Sequence, residues 1–189
     1  MAATKTDNHF TADKIDLRVR MTAHLAAPRV LDVFGGHGVV WGGVGRVTGK
    51  TIDRVAIDHR LDLDGPHLHG DNTKVVAGLD LSGYDVIDLD AYGIPADLIK
   101  TVIRAKGFKG VVFVTAIQSM QGGIPKVIGN DLGLPPNISR ECPSLVARRG
   151  WEYFKNWLAL MGVERIEHRS HARKHYLGFY ANGYQPDAA

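Results

Sequence analysis

Four short runs of apolar residues stand out along the chain, at residues 29–34, 54–58, 84–90 and 110–116. Each is rich in Val, Ile and Leu and ends in polar or small residues, the pattern of parallel strands covered on both faces. Between the last two lies residues 96–106, where Leu98, Ile99, Val102 and Ile103 recur at helical spacing before Gly107 closes the run. Strands alternating with helices predict right-handed βαβ units and an open, mostly parallel α/β sheet. Residues 12–25 mix alternation with helical spacing and are read as a helix. Residues 144–161 carry Leu145, Trp151, Phe154, Trp157, Leu158 and Met161, an amphipathic helical stripe broken at Gly150, with its aromatics assigned to the core. Two alternating runs, 164–171 and 174–181, flank a basic turn and predict a terminal antiparallel hairpin. Residues 118–145, punctuated by Gly122, Gly123, Pro125, Pro135 and Pro136, are read as a functional loop.

With 189 residues and 44% hydrophobic content the chain suits one globular domain, here assigned to residues 12–189 behind a flexible tail at 1–11. Twenty-three basic against 20 acidic residues leave a formal charge of +3, below that of a protein built to coat nucleic acid. The single cysteine, Cys142, has no partner for an intramolecular disulfide. No secretory signal and no apolar run of membrane-spanning length is visible, so the expected location is the cytoplasm. The 22 glycines are more than composition alone predicts and call for tight turns or close backbone approach.

One glycine cluster sits where ligands bind in open α/β sheets, directly after the first strand: Asp32, Val33, Phe34, Gly35, Gly36, His37, Gly38. Trp41 occupies the third glycine position of the dinucleotide fingerprint, which argues against a dinucleotide. Asp58 ends the second strand twenty residues after Gly38, the spacing of a carboxylate that accepts hydrogen bonds from a ribose, and His59 follows it. Asp71 and Asn72 come next, and Asp88 and Asp90 end a further strand. Singly, each aspartate is more commonly a helix cap or a solvated turn residue. Together at strand ends, they mark a ligand site.

On these residues the chain resembles the class I S-adenosylmethionine-dependent methyltransferases, whose first motif is similar to residues 32–38. The resemblance implies a single Rossmann-like α/β domain and S-adenosylmethionine as cofactor. It places Asp32, Gly36 and Gly38 around the amino acid part, Asp58 at the ribose hydroxyls and Asp71 at the adenine amine, with Phe34, His59, Asn72 and Asp88 as further cofactor-binding residues. Residues 85–95 further resemble the Asp-x-Asp-Pro-Phe/Tyr-Gly-Ser-Pro motif of the tRNA guanine dimethyltransferases. The segment departs from that motif at Ala91, where proline is expected, and at Ile94, where serine is expected. The narrower resemblance implies methylation of an exocyclic amine of a nucleic acid base, with Asp90 orienting the amine and Tyr92 stacking on the base.

Two rival readings stay open. One is a non-catalytic binding or regulatory protein that keeps the fold; the other is an enzyme acting on S-adenosylmethionine itself or on a small amine. The basic segment 168–175, with Arg148 and Arg149, could contact phosphates, and a homodimer is compatible with a large substrate. A metal reading has less support: His67 and His69 share one face of a strand and His171 and His175 would share one face of a helix, without a third ligand. No nucleophile motif is present, so covalent catalysis is not expected.

Overall fold

The structure is a computed structural model that describes residues 10–63, 65–117, 123–172, 174–184 and 186. Seven strands form one sheet in the order β3-β2-β1-β4-β5-β7-β6. The strands β1 (Arg29–Val33), β2 (Asp53–Asp58), β3 (His67–His69), β4 (Val86–Leu89) and β5 (Val111–Ile117) run parallel. β6 (Ile166–His171) and β7 (Lys174–Tyr180) form the expected hairpin, with β7 antiparallel to β5. β4 is buried along its whole length and β5 up to its last residue, which explains the unbroken apolar runs of the central strands. β6 is polar after Ile166 and carries Glu167 and Arg169 at the sheet's edge, a composition that resists pairing with another chain.

Two apolar layers sandwich the sheet. On one side α1 (Thr11–Met21) and α2 (Val39–Thr48) bury Leu17, Met21, Trp41 and Val44 against Val30, Val86, Val111 and Phe113. On the other, α3 (Asn72–Gly78), α4 (Ala96–Arg104), α5 (Lys126–Asp131) and α7 (Pro143–Leu160) cover Leu31, Ile57, Ile87, Val112, Val114, Leu177 and Phe179. The short α6 (Ile138–Glu141) precedes α7. The connection from β2 to β3, residues 59–66, is too short for a crossover helix and carries none among its described residues.

Two expectations change. Much of the stretch read as loop, 118–145, is helical, holding α5, α6 and the start of α7; residues 118–122 lie outside the described residues. Pro125 immediately precedes α5 and Pro143 opens α7, so these prolines start helices rather than loops. Gly150 does not break the amphipathic stripe: α7 runs uninterrupted for 18 residues, because burial of Val146, Phe154, Trp157 and Leu158 outweighs one glycine's helix cost of about 1 kcal/mol. Of the expected tail, residues 1–9 lie outside the described residues.

Candidate functional site

The side chains that the sequence singles out lie along the carboxyl ends of β1, β2 and β4. Strand register sets Asp32 directly beside Asp88 on the face covered by α1 and α2. Two buried carboxylates side by side would repel, and each is matched by an arginine from another element. Arg18 of α1 grips Asp88 through both carboxylate oxygens, Nε to Oδ2 at 2.7 Å and Nη2 to Oδ1 at 2.6 Å. The Trp41 indole N–H donates to the same Oδ2 at 2.8 Å. Four residues before Arg18, one turn along α1, Lys14 contacts both oxygens of Asp90 at 2.7 Å. Helical spacing on α1 thus matches strand spacing at the end of β4.

These pairs set the protonation of the site. Arg18 is fully buried, yet three carboxylates, Asp88 foremost, raise it above the usual guanidinium range. Burial works against the charge on Asp90, but Lys14 and Arg18 hold it below the usual carboxylate range. Burial and the adjacent Asp88 push Asp32 up to about 7, against the pull of Arg54.

Arg54 of β2 explains most of the glycine loop. Its Nε donates to Asp32 at 2.6 Å, and its Nη2 donates to the carbonyl oxygens of Gly35 and Gly36 at 2.9 Å. A β-carbon on Gly35 would collide with the Asp32 carboxylate, and one on Gly38 would lie 2.6 Å from the Arg54 guanidinium carbon. Gly38 also has φ +69°, as does Phe34, which opens the turn. Glycine is needed here because the loop wraps an ion pair. Gly36 differs: at φ +45° its missing side chain faces open space, with nothing within 4 Å.

Asp58 lies beside that opening. Its carboxylate accepts from the Gly36 N–H at 3.3 Å and the Arg60 N–H at 3.0 Å, and the residue is 6% exposed. The neighbouring His59 ring is solvent-facing, its Nδ1 3.2 Å from Asp58. At the start of α3, Asp71 accepts from the Lys74 N–H at 3.0 Å as a helix cap. Next to it, Asn72 Oδ1 is buried without a hydrogen-bond partner among the described residues. An unpaired buried acceptor at this place fits a donor on a ligand.

Several of the singled-out residues thus have partners within the protein. Asp32 and Asp88 are bound by arginines and are not open to a cofactor amine. Gly38 encloses Arg54, and Asp71 caps a helix. Asp90, expected to orient an amine, is paired with Lys14 of α1, and Tyr92, expected to stack on a base, is 86% exposed. Ala91, at the proline position of the motif, is buried. Gly36, Asp58 and Asn72 differ from these: open space beside a glycine, a carboxylate held by two backbone N–H groups, and a buried amide oxygen without a partner among the described residues.

Sequence reasoning did not find the cleft beside them. Ile94, Ala116, Ile124, Ile128, Trp151 and Phe154 form most of its wall, and His175 also lines it. Its lining includes Ile94, which follows β4, and Ala116 near the end of β5; in the sheet β4 lies between β5 and β1, the strand that the glycine loop follows. Ile94 is one of the residues that make that wall apolar. His171 and His175 do not share a helix face; they belong to the two strands of the hairpin. His67 Nδ1 and His69 Nε2 each face a backbone oxygen, of Gly65 and His59 respectively. Among the described residues, no helix is long and apolar enough to cross a membrane.

No protein-family model matches the sequence. Nor does any curated protein match it significantly. Solved structures do resemble the fold. A protein of Listeria monocytogenes described as a class I S-adenosylmethionine-dependent methyltransferase superposes with TM-score 0.56 at 14% identity, over 99% of this chain and 65% of its own. A SAM-dependent methyltransferase from Archaeoglobus fulgidus gives 0.52 at 11% identity, over 89% of this chain and 93% of its own. The CurJ carbon methyltransferase gives 0.53 at 13% identity, over 89% of this chain and 54% of its own, so this chain spans about half of that one. The fold is the Rossmann-like α/β fold of the methyltransferases.

Proposed function

We propose that the chain is a methyltransferase that takes its methyl group from S-adenosylmethionine. The observation that carries this reading is the placement of two complementary half-sites along one edge of the sheet. Gly36, Asp58 and Asn72 at the ends of β1, β2 and β3 suit the adenosyl part. The apolar cleft at the ends of β4 and β5 suits an acceptor. Bound S-adenosylmethionine supplies an activated methyl on a sulfonium, a leaving group that needs little acid catalysis, so the protein's contribution is to align the acceptor. Asp58 would accept from the ribose hydroxyls and Asn72 Oδ1 from the adenine amine, while Gly36 leaves room for close approach.

For the acceptor, the reading extends to an exocyclic amine of a nucleic acid base. The resemblance of residues 85–95 supports it, as does the surface: exposed Tyr92 offers a ring for stacking, and Arg148 and Arg149 precede the cleft-lining Trp151 on α7 as exposed cations for phosphates. The cleft's apolar wall suits the faces of a flat ring. A binding protein without chemistry is favoured by one feature, the commitment of Asp32, Asp88 and Asp90 to internal cations.

Calorimetric titration with S-adenosylmethionine, followed by transfer of labelled methyl to RNA, DNA and free nucleosides, tests both readings. Binding weakened at least ten-fold by Asp58→Ala, with label in a base amine, supports the transferase. Binding without incorporation into any acceptor supports the second reading, and no binding removes both.

A further inference from the structure

The cleft contains a group that the resemblance does not account for. His175 of β7 and His168 of β6 lie diagonally across the hairpin, and His168 Nε2 is 3.1 Å from His175 Nδ1. Trp151 of α7 stacks on both, its ring 4.4 Å from His175 at an interplanar angle of 2° and 4.1 Å from His168 at 20°. Ser170 Oγ stands 3.4 Å from the same His175 nitrogen. The His175 ring is thereby fixed in plane and position. With Nδ1 engaged, Nε2 is the nitrogen available to a molecule in the cleft. His175 is 7% exposed whereas His168 is only half-buried, so the pair runs from the cleft wall toward solvent.

We infer that His175 takes the proton that the acceptor's heteroatom sheds on methylation, and that His168 passes it to solvent. This rests on the transferase reading and adds to it a residue and an acceptor class. In the step, the lone pair of the acceptor nitrogen forms the N–CH3 bond while the S–CH3 bond of the sulfonium donor breaks. The bonding pair stays on sulfur as a neutral thioether. The proton released from nitrogen moves to His175 Nε2, the Nδ1 proton moves to His168 Nε2, and the positive charge of the sulfonium ends on the imidazole pair. No electron is gained or lost overall.

The cleft also restricts which nitrogen can enter. None of the described residues lining it is a carboxylate, and Lys155 lies over the Trp151 ring at 5.9 Å. An alkylammonium would be stripped of water with nothing to pair it. The acceptor is therefore neutral on entry, a flat conjugated amine. Once methylated and cationic, such a nitrogen is far more acidic than an alkylammonium, so it can give up its proton to a weak base. Burial holds His175 down at about 4, which keeps it unprotonated at neutral pH and ready to accept.

The test uses the full chain with labelled histidine and needs no turnover for its first readout. Nitrogen NMR of the wild type, with aniline and then benzylamine as probes, reads the tautomer and contact of His175. The expected result is an Nδ1-protonated His175 whose Nε2 resonance shifts with neutral aniline and not with cationic benzylamine. In the second readout, His175→Phe keeps the ring stack on Trp151; S-adenosylmethionine affinity stays within two-fold of wild type, and methyl transfer to an arylamine falls at least 100-fold. An unshifted His175 resonance, or unchanged transfer by His175→Phe, overturns the assignment and leaves the transferase reading in place. Failure of the wild type to bind S-adenosylmethionine overturns both. If His175→Phe does not fold, the wild-type NMR readout decides alone.

Discussion

Arg18 and Asp88 meet as a fork on a carboxylate, with side chains 2% and 1% exposed, joining α1 to the centre of the sheet. The pair has no access to solvent that could replace a lost partner. Asp88→Ala strands a buried guanidinium and the Trp41 N–H, and should cost about 3–5 kcal/mol of unfolding free energy. The double variant Arg18→Met, Asp88→Leu should cost clearly less than the two single losses added together. Urea denaturation of the four proteins measures the coupling, and additive losses would show that the pair does not act as a unit.

The glycine loop makes a second pair of predictions. Gly38→Ala meets both a left-handed backbone and the Arg54 guanidinium, and should destabilise by about 2–3 kcal/mol. In an Arg54→Ala background its penalty should fall to the conformational part alone, about 1–2 kcal/mol. Equal penalties in both backgrounds would mean that Arg54 does not fill the loop.

Gly36→Ala separates ligand binding from stability. Gly36 and Gly49, the residue that ends α2, both have positive φ and open space around the missing side chain. Alanine at either should cost about 1–2 kcal/mol through the backbone. Only Gly36→Ala should also reduce S-adenosylmethionine affinity, at least ten-fold by calorimetry. Equal effects of the two on binding would remove Gly36 from the site.

Stability should depend on pH through the histidine pair. His175 sits at about 4 in the fold against 6.5 for an unperturbed ring, because burial and then His168 disfavour its charge. Burial, Lys155 and Arg169 lower His168 in the same direction. Between pH 6.5 and 4 the unfolded chain binds more protons, so this contribution is complete above 6.5 and is lost as the pH falls toward 4. Asp32 has the opposite sign, since its raised pKa makes stability fall as pH rises toward 7. The difference between wild type and His175→Phe isolates the imidazole: the gap should change by about 2 kcal/mol between pH 7 and pH 4.5. A constant gap would show that His175 titrates normally.

Much of the scaffold was legible in the sequence for a simple reason. A strand buried on both faces must be apolar throughout, so β1, β2, β4 and β5 announce themselves, and the alternating runs around the basic turn read as the hairpin that forms. The aspartates were equally visible, but their partners were not. Arg18 is 70 residues from Asp88, Lys14 is 76 from Asp90 and Arg54 is 22 from Asp32, and no local pattern connects them. The cleft was not visible either, since it assembles Ile94, Trp151 and His175 from three segments far apart in the chain. By itself, the sequence determined the layers of the fold, the glycine turn and the acidic strand ends, because hydrophobic period and turn chemistry act over a few residues. Only the tertiary structure decided which carboxylates are spent on internal cations, because charge pairing in a buried site depends on distance through space.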